Sequence, residues 1–204
     1  MKNYNVRMIK KKPYVTIGLV IINFIVFLSL EFLGDTEDSL FMILHGGMFP
    51  EAIINGEEYW RFFTAMFLHF GLIHLTNNMI VLGAAGEMIE DTLGHLKFLV
   101  LYIMSGIGGS VVSFLLMNYT GDYAVSAGAS GAIFGVIGAL VWIVIKNKGN
   151  YKALNKTTLI IMVALMLYQG FESSGVDNGG HIGGLLSGFL LSIVLYRKKG
   201  YNES

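Results

Sequence analysis

Six stretches of this chain contain no charged residue: 13–30, 62–86, 98–121, 123–145, 157–171 and 178–196. A helix that crosses a bilayer needs about 20 mostly apolar residues, with about 17–25 the usual range. Five of these runs meet that length, and the fifth in order, 157–171, must draw on its polar flanks. Runs of this kind leave few alternatives, because hydrocarbon offers no partner to a backbone N–H or C=O and a helix satisfies its own. Only 14% of the residues are charged, against about 25% in a soluble domain, and the mean hydropathy is +0.62. The expected fold class is all-α: a polytopic membrane protein, a single bundle of six transmembrane helices.

The basic residues orient the bundle. Lys2, Arg7, Lys10, Lys11 and Lys12 precede the first run, Lys97 lies between the second and third, Lys146, Lys148, Lys152 and Lys156 lie between the fourth and fifth, and Arg197, Lys198 and Lys199 follow the sixth. With the N-terminus in the cytoplasm, every Lys and Arg except Arg61 falls inside, as the positive-inside rule requires. Both termini are then cytoplasmic. The expected organisation is a basic segment at 1–12, a six-span domain at 13–199 and a short tail at 200–204. The stretch "TIGLVIINFIVFLSL" also follows a basic start, as in a signal peptide, but it is long and no A-x-A-like site follows it. It reads as a retained span. Residues 31–61 form a long external loop whose apolar part rests in the membrane interface, with Tyr59 and Trp60 at the aromatic belt. The net charge of zero points to no nucleic-acid partner, and the absence of cysteine removes disulfides and thiolate chemistry. His69 and His74 are five apart and no HExxH is present, so no metal and no cofactor is expected. His69 reads as structural or as part of a cavity rim. The sequence carries no signal for an oligomeric state.

Polar residues inside the runs are the exception that calls for a function. Ser130 lies 16 residues before Lys146, His181 16 before Arg197, and His74 16 before Glu90. At about 1.5 Å per residue each lies roughly 24 Å from the inner edge. Three polar groups on three spans therefore share one depth, just below the outer surface, with Asn78 one turn deeper. A water-filled hollow open to the outside accounts for this. Gly131 and Gly135 on the fourth run, and Gly180, Gly184 and Gly188 on the sixth, have the spacing that lets helix backbones approach closely. That contact brings Ser130 and His181 together as a nucleophile and its base. Ser130 taken alone also fits a small residue at a helix crossing.

These residues together resemble the rhomboid intramembrane serine proteases. "GASG" at 128–131 is similar to the family's GxSG, "HLTNN" at 74–78 to its HxxxN, and "GHIGGLLSG" at 180–188 to its histidine-bearing last span. "WR" at 60–61, "YIMSGIGG" at 102–109 and Glu90 also match. Gly180 stands where Ala is more usual in the family. The match runs from about Trp60 to Tyr196 and resembles the minimal bacterial form, in a bacterial plasma membrane.

The resemblance implies a Ser–His dyad, with Ser130 as nucleophile and His181 as general base. It implies that Phe134 stacks on the histidine and that Gly128 keeps the approach to Ser130 open. His74, Asn78 and the Ser130 backbone N–H are the oxyanion donors, by position and by resemblance. Asp177, four residues before His181, falls in an external loop and is not placed as a third triad member. The implied partners are transmembrane-helix substrates in the lipid bilayer, cut near the outer face at small residues. Span five and the loop 172–179 are the implied gate. Glu90 is expected to hold helix ends together. Two other readings stay open: an inactive rhomboid-like protein that binds membrane helices, and a small transporter.

Overall fold

The charge-free runs fold as helices, and buried and exposed residues alternate along them at helical spacing. A computed structural model describes residues 12–152, 154–172 and 176–198. The basic segment before Lys12, the tail 200–204 and residues 173–175 of the expected gate loop lie outside the described residues. Helix α1 spans Tyr14–Leu33. It buries Thr16, Leu19, Asn23, Phe27 and Leu30, a stripe at the three-to-four-residue period of one helix face. Ile17, Ile21, Ile25 and Leu28 are exposed on the other side. Its first turn is capped from elsewhere in the chain. The Glu90 carboxylate accepts from the N–H groups of Val15 and Thr16, at 2.8 Å each, and from the Thr16 hydroxyl at 2.6 Å. A negative group at a helix N-terminus satisfies free N–H donors and favours the helix dipole. Glu90 therefore joins two helix ends, as expected.

Between α1 and Arg61 lie two short helices, α2 (Ser39–Leu44) and α3 (Pro50–Gly56). Asp38 caps the first by accepting from the Phe41 N–H at 2.6 Å. Arg61 locks the segment from beneath. Its Nη1 donates to the carbonyls of Ile43 and Gly47 at 2.6 and 2.8 Å, and its Nε donates to Glu58.

The second run departs from the expected single span at 62–86. It is broken into α4 (Arg61–Thr64) with a tight turn at Ala65–Phe67, and a helix over Gly71–Leu93, bent by 92° from the first piece. That second helix comprises α5 (Gly71–Val81), a wide π turn (Leu82–Gly86) and α6 (Glu87–Leu93). The bend is possible because Gly71 adopts φ +73°, a region that side chains disfavour. No charge marks the break, so the run of apolar residues conceals it.

The remaining helices are α7 (His95–Thr120), α8 (Ser130–Lys146), α9 (Lys156–Glu172) and α10 (Asn178–Leu195). The expected fourth run, 123–145, becomes helical only at Ser130. A two-stranded hairpin, Asn150–Tyr151 with Leu154–Asn155, joins α8 to α9, so the fold is mostly rather than wholly helical. Among the described residues, three helices, α1, α7 and α10, are long and apolar enough to cross a membrane, and a fourth is added if the bent pair counts as one span.

The core is built where α7, α8 and α10 meet. Every residue of α8 from Ala132 to Leu140 is buried. The α8–α10 contact is backbone against backbone. A Cβ placed on Gly184 would stand 2.0 Å from the Gly131 carbonyl oxygen, and one on Gly188 would stand 1.9 Å from that of Gly135. On the other face of α10, a Cβ on Gly183 would meet the Val112 Cβ at 2.5 Å.

The glycine seam and an open glycine make opposite predictions. Gly184→Val forces α8 and α10 apart and is expected to lower the melting temperature in detergent, at a cost of about 1–3 kcal/mol or more. Gly18 on α1 faces open space, and a Cβ added there would meet nothing within 4 Å. Gly18→Ala is expected to hold or raise stability by up to about 1 kcal/mol. Equal melting temperatures for Gly184→Val and the parent would contradict the seam.

Candidate active site

Ser130 is the first residue of α8, and the chain leading to it is held at three successive points. Ser126 pairs with Met48 through both backbone bonds, at 2.9 and 2.8 Å. Gly128 donates its N–H to the Ala65 carbonyl at 2.9 Å. Ala129 donates its N–H to His69 Nε2 at 3.3 Å. His69 is 1% exposed, so it is a buried support beneath this loop rather than a rim residue. It accepts at Nε2, which requires that nitrogen to be unprotonated. Spacing along the chain did not reveal this role, because His69 sits in the break between α4 and α5.

Gly128 has φ +139°, and the space a side chain would take is filled. A Cβ there would stand 3.0 Å from His74 Nε2 and 3.6 Å from Ser130 Oγ. The absence of a side chain therefore lets His74 and Ser130 converge over the same backbone. His74 is on the first turn of α5, edge-on to His69 with ring centroids 5.2 Å apart. Asn78, one turn on, is 7% exposed and donates one Nδ2–H to the His74 carbonyl at 3.1 Å. A carboxamide has two such hydrogens, which leaves the second for another acceptor.

His181 enters from α10. Phe134, one turn after Ser130 on α8, lies flat against the imidazole, with centroids 4.2 Å apart and planes at 17°. Among the described residues, His181 Nδ1 is buried without a hydrogen-bond partner. Asp177 does not supply one. Its carboxylate accepts from the Gly180 N–H at 2.8 Å, as the cap of α10, and from the Ser126 hydroxyl at 2.5 Å. This places Asp177 at the start of α10 as its cap, where the sequence points to an external loop. Its contact with Ser126 was not legible there.

All six residues singled out from the sequence, His74, Asn78, Gly128, Ser130, Phe134 and His181, line one cavity of about 1280 Å³. Polar residues Asn77, Ser110, Ser126 and Asp177 also line it. Its apolar lining includes Ile80, Ala84 and Met88, and Met162 and Met166 of α9. Ser130 also sits at a helix N-terminus, where first-turn N–H groups have no intrahelical partner and negative charge is favoured. A serine hydroxyl, an imidazole, amide donors and apolar side chains thus share one space, the set of groups that a serine hydrolase among apolar helices would use.

Comparison with known proteins gives this class its family. A family model of the Rhomboid domain matches residues 56–198. The chain is 35% identical over 184 residues to Rhomboid protease GluP of Bacillus subtilis, covering 90% of this chain and 35% of that protein. It is 35% identical over 206 residues to Rhomboid protease AarA of Providencia stuartii, covering 88% and 71%. It is 40% identical over 157 residues to RHOMBOID-like protein 5 of Arabidopsis thaliana, covering 76% and 50%. The chain belongs to the rhomboid family, and with its apolar helices it is an integral, multi-pass membrane protein. It spans 35%, 41% and 50% of the length of the first three curated relatives it matches.

The stack makes a spectroscopic prediction. Phe134→Leu removes the ring over His181, so the His181 ring protons are expected to lose their upfield ring-current shift in an NMR spectrum of histidine-labelled protein. Unchanged shifts would contradict the stacked arrangement.

Proposed function

We propose that this chain is an intramembrane serine endopeptidase that cuts transmembrane helices of other membrane proteins near the outer face of a bacterial plasma membrane. The observation that carries the reading is the convergence of Ser130 and His181 in one cavity, from two helices whose backbones touch at Gly131 and Gly184. In this reading α1, the helix over Gly71–Leu93, and α7 to α10 are the six spans. Both termini are cytoplasmic, and residues 13–199 form the catalytic domain, with 1–12 and 200–204 as cytoplasmic ends. The clustering of basic residues on one side supports that topology.

Ser130 Oγ attacks the scissile carbonyl carbon while His181 takes its proton. The Phe134 ring holds the imidazole in plane and offers its π face to the imidazolium that forms, in place of an orienting carboxylate. The oxyanion receives hydrogen bonds from the Ser130 backbone N–H, the free Asn78 Nδ2–H and the His74 ring. One such donor is worth about 2.7–4 kcal/mol of transition-state stabilisation. Collapse breaks the C–N bond, and His181 returns the proton to the leaving amine. Water then attacks the acyl-serine with His181 again as base, which releases the acid and restores Ser130.

The groove beneath the site suits an apolar helix as substrate, and the chemistry limits which one. A helical peptide bond is shielded and hydrogen-bonded, so it must unwind before Ser130 can reach it. Gly or Pro in the substrate helix lowers that cost by about 1 or 3 kcal/mol. Cleavage is thus expected at small residues with helix breakers nearby, and α9 with its following loop is the gate in this proposal.

Two measurements test the reading. Ser130→Ala, purified and folded, is expected to lose all cleavage of a transmembrane substrate, and retained cleavage would sink the protease. The chain has no native cysteine, so Ser130→Cys carries a single thiol. A small water-soluble thiol reagent applied from outside is expected to modify it, and protection would count against an aqueous hollow.

A further inference from the structure

Resting on the protease reading, we infer that Asp177 is a positioning residue that ties the loop delivering Ser130 to the helix end delivering His181. Ser126 stands four residues before Ser130, and Asp177 four residues before His181. The bond between them, Ser126 Oγ to Asp177 Oδ2 at 2.5 Å, joins the two approaches directly.

Both ends of this tie are anchored. Ser126 is fixed by its two backbone bonds to Met48, so its hydroxyl is a set point and not a loose side chain. Asp177 Oδ1 caps α10 through the Gly180 N–H at 2.8 Å, and its carbonyl accepts from the His181 N–H at 3.1 Å. The carboxylate lies over the first turn of α10, where a Cβ on Gly180 would meet Oδ2 at 2.6 Å. Each carboxylate oxygen already has a donor, while His181 Nδ1 has none among the described residues. Asp177 therefore makes no hydrogen bond to the His181 Nδ1, and its bonds hold the backbone that carries that residue.

The tie completes the glycine seam. Backbone contact between α8 and α10 starts near Gly131 and Gly180 and continues inward through Gly184 and Gly188. Ser130 and His181 lie at the outer end of that contact, where the helices are free to part. The Asp177–Ser126 bond closes this end. A small displacement there matters, because attack requires the reacting atoms about 3–3.5 Å apart and aligned.

The test uses the purified full chain in detergent. It reads the rate at which a fluorophosphonate labels Ser130, together with kcat and KM on a transmembrane substrate. Ser126→Ala removes the tie but leaves the helix cap, so folding is not at stake, and its melting temperature is the control. Ser126→Ala and Asp177→Ala are each expected to slow labelling and kcat by about tenfold, the effect of one hydrogen bond, with KM nearly unchanged. The double variant is expected to be no slower than the slower single one, since both remove the same bond. Asp177→Asn, which keeps an acceptor for Gly180 and an amide to bond Ser126, is expected to restore most of the rate. Two results overturn the inference: Ser126→Ala labelling at the wild-type rate, or Asp177→Asn as slow as Asp177→Ala, which would make the charge itself the agent. A wild type that never labels at Ser130 removes the protease reading and this inference with it.

Discussion

Bare backbone against bare backbone, between α8 and α10, is the contact on which the rest depends. Lipid tails are as apolar as leucine, so burial gives helices little reason to associate in a bilayer, and close packing must supply it. Gly184 and Gly188 present Cα hydrogens to the carbonyls of Gly131 and Gly135, a geometry that also admits weak Cα–H···O bonds. The contact fixes register as well as distance. Sliding α10 by one residue would bring His181, Leu185 or a neighbouring side chain onto a carbonyl with no room for it. Ser130 precedes the first glycine of the α8 row and His181 lies one turn before Gly184, so the seam sets where the two meet.

A seam alone leaves the chain before Ser130 undefined, and the segment between α1 and α5 supplies what is missing. Arg61 holds the carbonyls of Ile43 and Gly47, which places Met48 to pair with Ser126. The turn at Ala65–Phe67 offers the Ala65 carbonyl to Gly128, and the break after it positions His69 under Ala129. The Trp60–Arg61 pair and the 92° bend therefore serve the site from a distance. At the opposite end Glu90 joins α6 to α1 and to His95. It anchors the same helix that carries His74 and Asn78.

What could be read from the sequence follows from where its signals are strong. Charge placement marks the runs because a charge in hydrocarbon is costly, and α1, α7, α9 and α10 lie close to the expected bounds. Spacing put His74, Ser130 and His181 at one expected depth, with Asn78 one turn deeper, because helical rise converts residue number into depth, and all four line the same cavity. Phe134 on His181 came from the family resemblance, and the stack agrees with it. The break at residues 68–70 was hidden, since "LHF" is apolar and carries no formal charge. The non-helical start of the fourth run was hidden for the same reason. The support from His69, and the Ser126–Asp177 bond, depend on contacts between residues 60 and 51 positions apart. Local patterning has no access to such contacts.

The cavity bears on how the proposed hydrolytic site would work among apolar helices. Its lining mixes polar side chains, among them Asn77, Asn78, Ser110, Ser126 and Asp177, with apolar ones such as Ile80, Ala84, Met162 and Met166. A water held in a protein needs two to four polar partners, and the polar members of this lining are groups of that kind. In the protease proposed above, the polar side chains would hold the water for deacylation and the apolar ones would face a hydrophobic helix. Ser130 and His181 share this space, each from the first turn of its helix, α8 and α10. Had either helix continued outward as a full span, its first-turn N–H groups would be spent in the helix and the hollow would close. The late start of α8 thus suits the proposed oxyanion role of the Ser130 N–H, and the broken second run and the segment before it hold the chain that leads there.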